Sequence, residues 1–105
     1  MRSSSTIVTE NAHRYMSQLC KHFAHKVPAT LGEREGQISF DGGEVHLRAS
    51  PDTLMIRVEA EQGDALQRLE GVVASHLKRF AFREPGLAVD WSRAPARWDA
   101  SCPAD

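Results

Sequence analysis

Two crowded groups of basic and imidazole side chains are the residues of this sequence best suited to chemistry. Lys21, His22, His25 and Lys26 form the first, and His76, Lys78, Arg79 and Arg83 the second. Three kinds of chemistry use such groups. Lysine and arginine attract carboxylate or phosphate, and arginine can hold either in a bidentate fork. Neutral imidazoles ligate metals. An imidazole beside a nucleophile acts as general acid or base.

The enzymatic reading ranks last, because no nucleophile, base and orienting group are recognisable together. No Ser-His-Asp order presents itself, and Asp41-Gly42-Gly43 reads as a hairpin turn rather than a phosphate loop. The metal reading has three candidate ligands, His22, His25 and His76. His22 and His25 are three apart and lean the same way on a helix. Cys20 falls on the opposite edge of that helix from His22, and a closed zinc site wants four ligands. The leading reading is an anion site built from Lys21, His22, Lys26, His76, Arg79 and Arg83, for an anionic small molecule or protein partner. Each reading has a plain structural counterpart. Cations favour helix C-termini by about 0.3–1 kcal/mol each, and His76 can be a core-edge histidine with one ring nitrogen on a backbone carbonyl.

These residues need elements to position them. Ala12, Tyr15, Met16, Leu19, Phe23 and Val27 recur at helical spacing, with Thr9 as the expected N-cap and Pro28 as the stop. At about 100° per residue, His22 and Lys26 fall at the edge of that apolar stripe, while Lys21 and His25 fall on the solvent side. A second helix is expected from Asp64, with Gln67 completing a capping box, through Leu66, Leu69, Val73, Leu77 and Phe80 to Pro85-Gly86. His76 lies within its apolar arc.

Between the helices, apolar residues alternate with polar ones at Ile38 and Phe40, at Val45, Leu47 and Ala49, and at Leu54, Ile56, Val58 and Ala60. That period predicts an antiparallel meander with one covered face. Ser5–Thr9 is expected to form a short first strand. Ala29–Leu31 can add an edge segment, and Leu87, Val89 and Trp91 predict a last strand. The expected fold is therefore α+β, a two-layer sandwich with both helices on one face of the sheet, in the order β-α-β-β-β-α-β. Residues 1–4 are expected to fray, 5–93 to form a single domain, and 94–105, rich in alanine and proline, to be a disordered tail.

Composition bounds the function. The 105 residues are 41% hydrophobic and 26% charged, with net charge −1. That is ordinary globular usage for one domain. The balance supports neither nucleic acid nor an anionic membrane as partner. Two cysteines, Cys20 and Cys102, make no disulfide framework. No signal peptide or membrane-spanning run is present, so a cytoplasmic location is expected. No cofactor is called for, and both monomer and homodimer remain open.

Two blocks resemble a known family. The run Arg14-Tyr15-Met16-Ser17-Gln18-Leu19-Cys20-Lys21-His22-Phe23-Ala24-His25-Lys26 is similar to the signature of a bacterial family called domain of unknown function 2218. The block Leu69-Glu70-Gly71-Val72-Val73, leading into His76-Leu77-Lys78-Arg79-Phe80-Ala81-Phe82-Arg83-Glu84 and then Trp91, resembles its second hallmark. The Gly-x-Ile-x-Phe strand from Gly36 to Phe40 also fits, so the resemblance covers about residues 5 to 93. It implies no catalytic residues. Some similar domains stand ahead of a flavin-dependent siderophore-interacting reductase, a part this chain is expected to lack. The resemblance thus implies an association with iron or siderophore handling, and a non-catalytic accessory role is the expectation.

Overall fold

Alternating apolar residues build the sheet, and two helical stripes cover one side of it. The computed structural model describes residues 1–93; the expected tail from 94 to 105, with Trp98 and Cys102, lies outside them. The elements are β1 (Arg2–Val8), α1 (Ala12–Phe23), β2 (Ala29–Leu31), β3 (Glu35–Phe40), β4 (Gly43–Ser50), β5 (Thr53–Ala60) and α2 (Gly63–Phe80). The sheet order is β1-β5-β4-β3-β2, antiparallel throughout. Ile38, Val45, Leu47, Ala49, Leu54, Ile56, Val58 and Ala60 face the helices and are buried. Their neighbours Gln37, His46, Arg48, Met55, Arg57 and Glu59 stay partly exposed on the other face. α1 lies over β2, β3 and β4, and α2 over β5, β4 and β1.

The element order is β-α-β-β-β-β-α, which corrects the expected order after each helix: one strand more follows α1, and none follows α2 among the described residues. The segment with Leu87, Val89 and Trp91 is not a strand. These residues pack partly buried against the core, but only Ser92 reaches the sheet, exchanging two hydrogen bonds of 2.8 Å with Ser4. Alternation reports one-sided burial of an extended chain, and here that burial occurs with a single bridge in place of a ladder. The expected edge segment Ala29–Leu31 is a full strand, paired with Gly36–Ile38. The N-terminus is not frayed. Met1 donates its amino group to the Ala60 carbonyl at 2.8 Å, and β1 begins at Arg2. Ser3 and Ser5 occupy core-facing positions opposite Val58 and Ile56, so a polar-looking segment is a strand because serine is small enough to be covered.

The helix ends also differ from expectation. Asn11, not Thr9, is the N-cap of α1, and the Thr9 hydroxyl accepts the Asn11 amide at 3.1 Å. The Asp64–Gln67 capping box does not form. Gln62 caps α2, and the Asp64 carboxylate accepts the next amide, Ala65, at 2.9 Å. α1 stops at Phe23, whose carbonyl accepts the amides of both Lys26 and Val27 at 2.9 Å. His25 and Lys26 therefore stand in the turn after the helix. α2 stops at Phe80, and Arg83 and Glu84 follow it in a second turn. Phe80, expected in the core, is partly exposed.

The two blocks that carry the family resemblance pack through the same core. The Gly36 strand lies so near α1 that a Cβ on Gly36 would stand 2.6 Å from Cys20 Sγ. Such an approach requires glycine.

Candidate functional site

α1 and α2 do not run side by side in the same direction. The first turn of α1 meets the segment just beyond α2, while its last turn meets His76 and Phe80. The order of contacts is reversed, so the two basic ends are not brought together by parallel helices. The end of α1 is nonetheless apposed to the last two turns of α2, at His76 and Phe80.

That apposition still gathers most of the candidates. The His22 and His76 rings lie 5.0 Å apart between centroids, tilted by 45°. Phe23 packs edge-on against His22 at 5.0 Å and near His76 at 4.9 Å, and Phe80 stands 5.8 Å from His22. Phe40, 5.0 Å from Phe23, extends the aromatic wall to β3. His76 Nδ1 is 2.8 Å from the Val72 carbonyl. A carbonyl only accepts, so Nδ1 carries the proton and the core-edge placement expected for His76 holds. The His22 pKa is lowered, first by burial and then by the nearby charges of His76, Lys26, His25 and Arg79. His22, His25, Lys26, His76 and Arg79 thus form one electrostatic cluster.

Two expected members stand apart. Lys21 is exposed on the solvent side of α1 and is not among the charges acting on His22. The Arg83 guanidinium lies 5.6 Å from the ring centroid of Phe82, in a cation–π contact at the surface. The metal candidates do not assemble. His25 is exposed in the turn, and among the described residues no group of three or more His, Cys, Asp or Glu side chains is placed to hold a metal.

Glu70 and Glu84 are engaged elsewhere. Glu70 is buried and faces Arg93 at 3.4 Å. Glu84 is held by groups around the start of α1. It accepts the Tyr15 hydroxyl, the Thr9 hydroxyl at 3.0 and 3.1 Å, and the Asn11 side-chain amide at 3.2 Å. Among the described residues, no carboxylate lies within ion-pair distance of Lys26 or Arg79. A shallow concavity of about 990 Å³ lies elsewhere, bordered by His13, Glu33, Arg34, Arg48 and Pro51. None of its lining belongs to the cluster.

The Glu84 network is the feature sequence reasoning missed. Tyr15 reads as a core residue, and nothing local links it to a position as far along the chain as Glu84. Their place within the two family-like blocks is the one available signal. The bond from Tyr15 holds the Glu84 carboxyl below the usual carboxylate range, with burial opposing and Asn11 and Thr9 assisting. Burial, then the bond to Glu84, raises the Tyr15 pKa. A depressed carboxylate stabilises the fold above its unfolded pKa, and that contribution is lost as pH falls through the folded value. Glu84→Gln is expected to lower stability near neutral pH by about 1–3 kcal/mol, as losses of charged hydrogen bonds do. It should also flatten the loss of stability below about pH 4.5. Urea unfolding at a series of pH values reads both; an unchanged acid limb would remove Glu84 from this role.

Comparison with known proteins agrees with the fold. A family model described as an uncharacterized protein conserved in bacteria matches residues 4–92. The NMR structure of PA4090 from Pseudomonas aeruginosa is similar at 37% identity, with a TM-score of 0.76, covering 90% of this chain and 98% of that one. Among curated proteins no match is found.

Proposed function

The chain belongs to this bacterial family, DUF2218, and from that premise we propose that it is a non-catalytic accessory domain that binds an anionic ligand or partner through His22, Lys26, His76 and Arg79. One observation carries the reading. Lys26 and Arg79 are near enough to the partly exposed His22 for their charges to lower its pKa, and His22 packs against His76, while Glu70 and Glu84 are bound to other groups. Cations with no carboxylate within ion-pair distance among the described residues favour an anion, and arginine offers it a planar fork. Complementarity to helix dipoles accounts for Arg79, in the last turn of α2, but not for Lys26, which stands beyond the end of α1.

The second reading, a metal held by helix histidines, has His22 and His76 in place and lacks a third ligand among the described residues. Lys26 and Arg79 also repel a cation there. A link to iron or siderophore handling rests on the family resemblance alone.

Charge reversal tests the reading. Lys26→Glu and Arg79→Glu are each expected to weaken phosphate binding at low salt at least tenfold, with melting temperatures changed little because both side chains are exposed. Equal affinity in wild type and both variants would refute it.

A further inference from the structure

The Val72 carbonyl fixes more than the position of His76. Because Nδ1 donates to it at 2.8 Å, the neutral ring has its lone pair on Nε2. No hydrogen bond among the described residues satisfies Nε2, and the residue is partly exposed beside His22. The cluster therefore offers charge from Lys26 and Arg79 together with one acceptor. An oxyanion with no proton of its own meets that acceptor lone pair to lone pair. An oxyanion that carries a hydroxyl satisfies both.

We infer that this site, on the anion-binding reading above, selects anions that also carry a hydrogen-bond donor, of the hydrogenphosphate or hydroxycarboxylate class, over anions of equal charge without one. A site built to accept a hydrogen bond rejects an analogue lacking the donor, because its own polar group is then left unpaired. Phe23 and Phe80 flank the two rings, so an anion seated against Nε2 would displace the water that otherwise pairs with it.

Sulfate and hydrogenphosphate make the comparison. At mildly alkaline pH both are tetrahedral dianions, and only the phosphate carries a hydroxyl. Titrating each into the wild-type protein at low salt, followed by NMR amide shifts, is expected to show phosphate binding about tenfold or more tightly at residues 22–26 and 72–80. His76→Phe removes the acceptor and keeps an aromatic ring, so it should abolish the preference while Lys26 and Arg79 still bind both ions weakly. Equal affinity of the two ions at the cluster would overturn the selectivity and leave the anion site standing. If neither ion moves those amides, the anion site itself is wrong and the selectivity falls with it.

Discussion

Leu77→Ala is expected to lower the free energy of unfolding by about 2–5 kcal/mol, the range of buried leucine truncations. Leu77 is fully buried on α2, within the core cluster shared with Leu69, Val73 and Ala81. Its carbonyl accepts the Ala81 amide that caps the helix. Truncation removes the buried methyl groups and leaves a cavity that neighbouring helix and sheet can only partly close. The same turns of α2 present His76 and Arg79, so packing at Leu77 also holds the candidate site in place. Phe82→Ala is the matched control: Phe82 is 72% exposed, and its loss should change stability by no more than about 0.5 kcal/mol. Urea unfolding of both variants checks this. A cost below about 0.5 kcal/mol for Leu77→Ala would take α2 out of the core.

Gly43→Val should cost about 3 kcal/mol, at the upper end of ordinary overpacking. A Cβ at Gly43 would stand 2.5 Å from the Glu59 carbonyl oxygen, 2.6 Å from Leu69 Cδ1 and 3.2 Å from Ala60 Cβ. Leu69 could shift, but the Glu59 carbonyl belongs to the β4–β5 ladder and cannot move without disturbing the pairing of Gly43 with Ala60. The larger valine meets the same wall. Gly71, in contrast, lies on the exposed side of α2 with nothing within 4 Å of its Cβ position. Gly71→Ala should therefore stabilise by roughly 0.5–1 kcal/mol through helix propensity and reduced unfolded-chain entropy. If both glycine variants shifted the unfolding midpoint the same way, the packing assigned to Gly43 would be wrong.

The meander and both helices were legible because their apolar residues repeat with the period of the element they form. Ile38, Val45, Leu47, Leu54, Ile56 and Val58 alternate, and every one is buried. The N-terminal strand was only half legible, since Ser3 and Ser5 fill core-facing places with side chains that pattern as polar. The false last strand has the opposite cause. Leu87, Val89 and Trp91 alternate and are partly covered, but periodicity cannot say whether a neighbouring chain supplies a ladder. In the site, the stripe-edge position of His22 and the place of His76 within the apolar arc of α2 are consistent with the contact between their rings. The reversed helix direction, the detachment of Lys21 and Arg83, and the capture of Glu84 by Tyr15 depend on tertiary contacts that no local pattern encodes.

The central claim is that the cations around His22 and His76 are free to take an anion. Titrating the wild-type protein with inorganic phosphate at low ionic strength, with backbone amide shifts followed by NMR, tests it most directly. The account predicts saturable shifts concentrated at residues 22–26 and 72–80, reversed by added salt. Shifts scattered over the sheet face, or confined to the concavity beside His13 and Arg34, would contradict it.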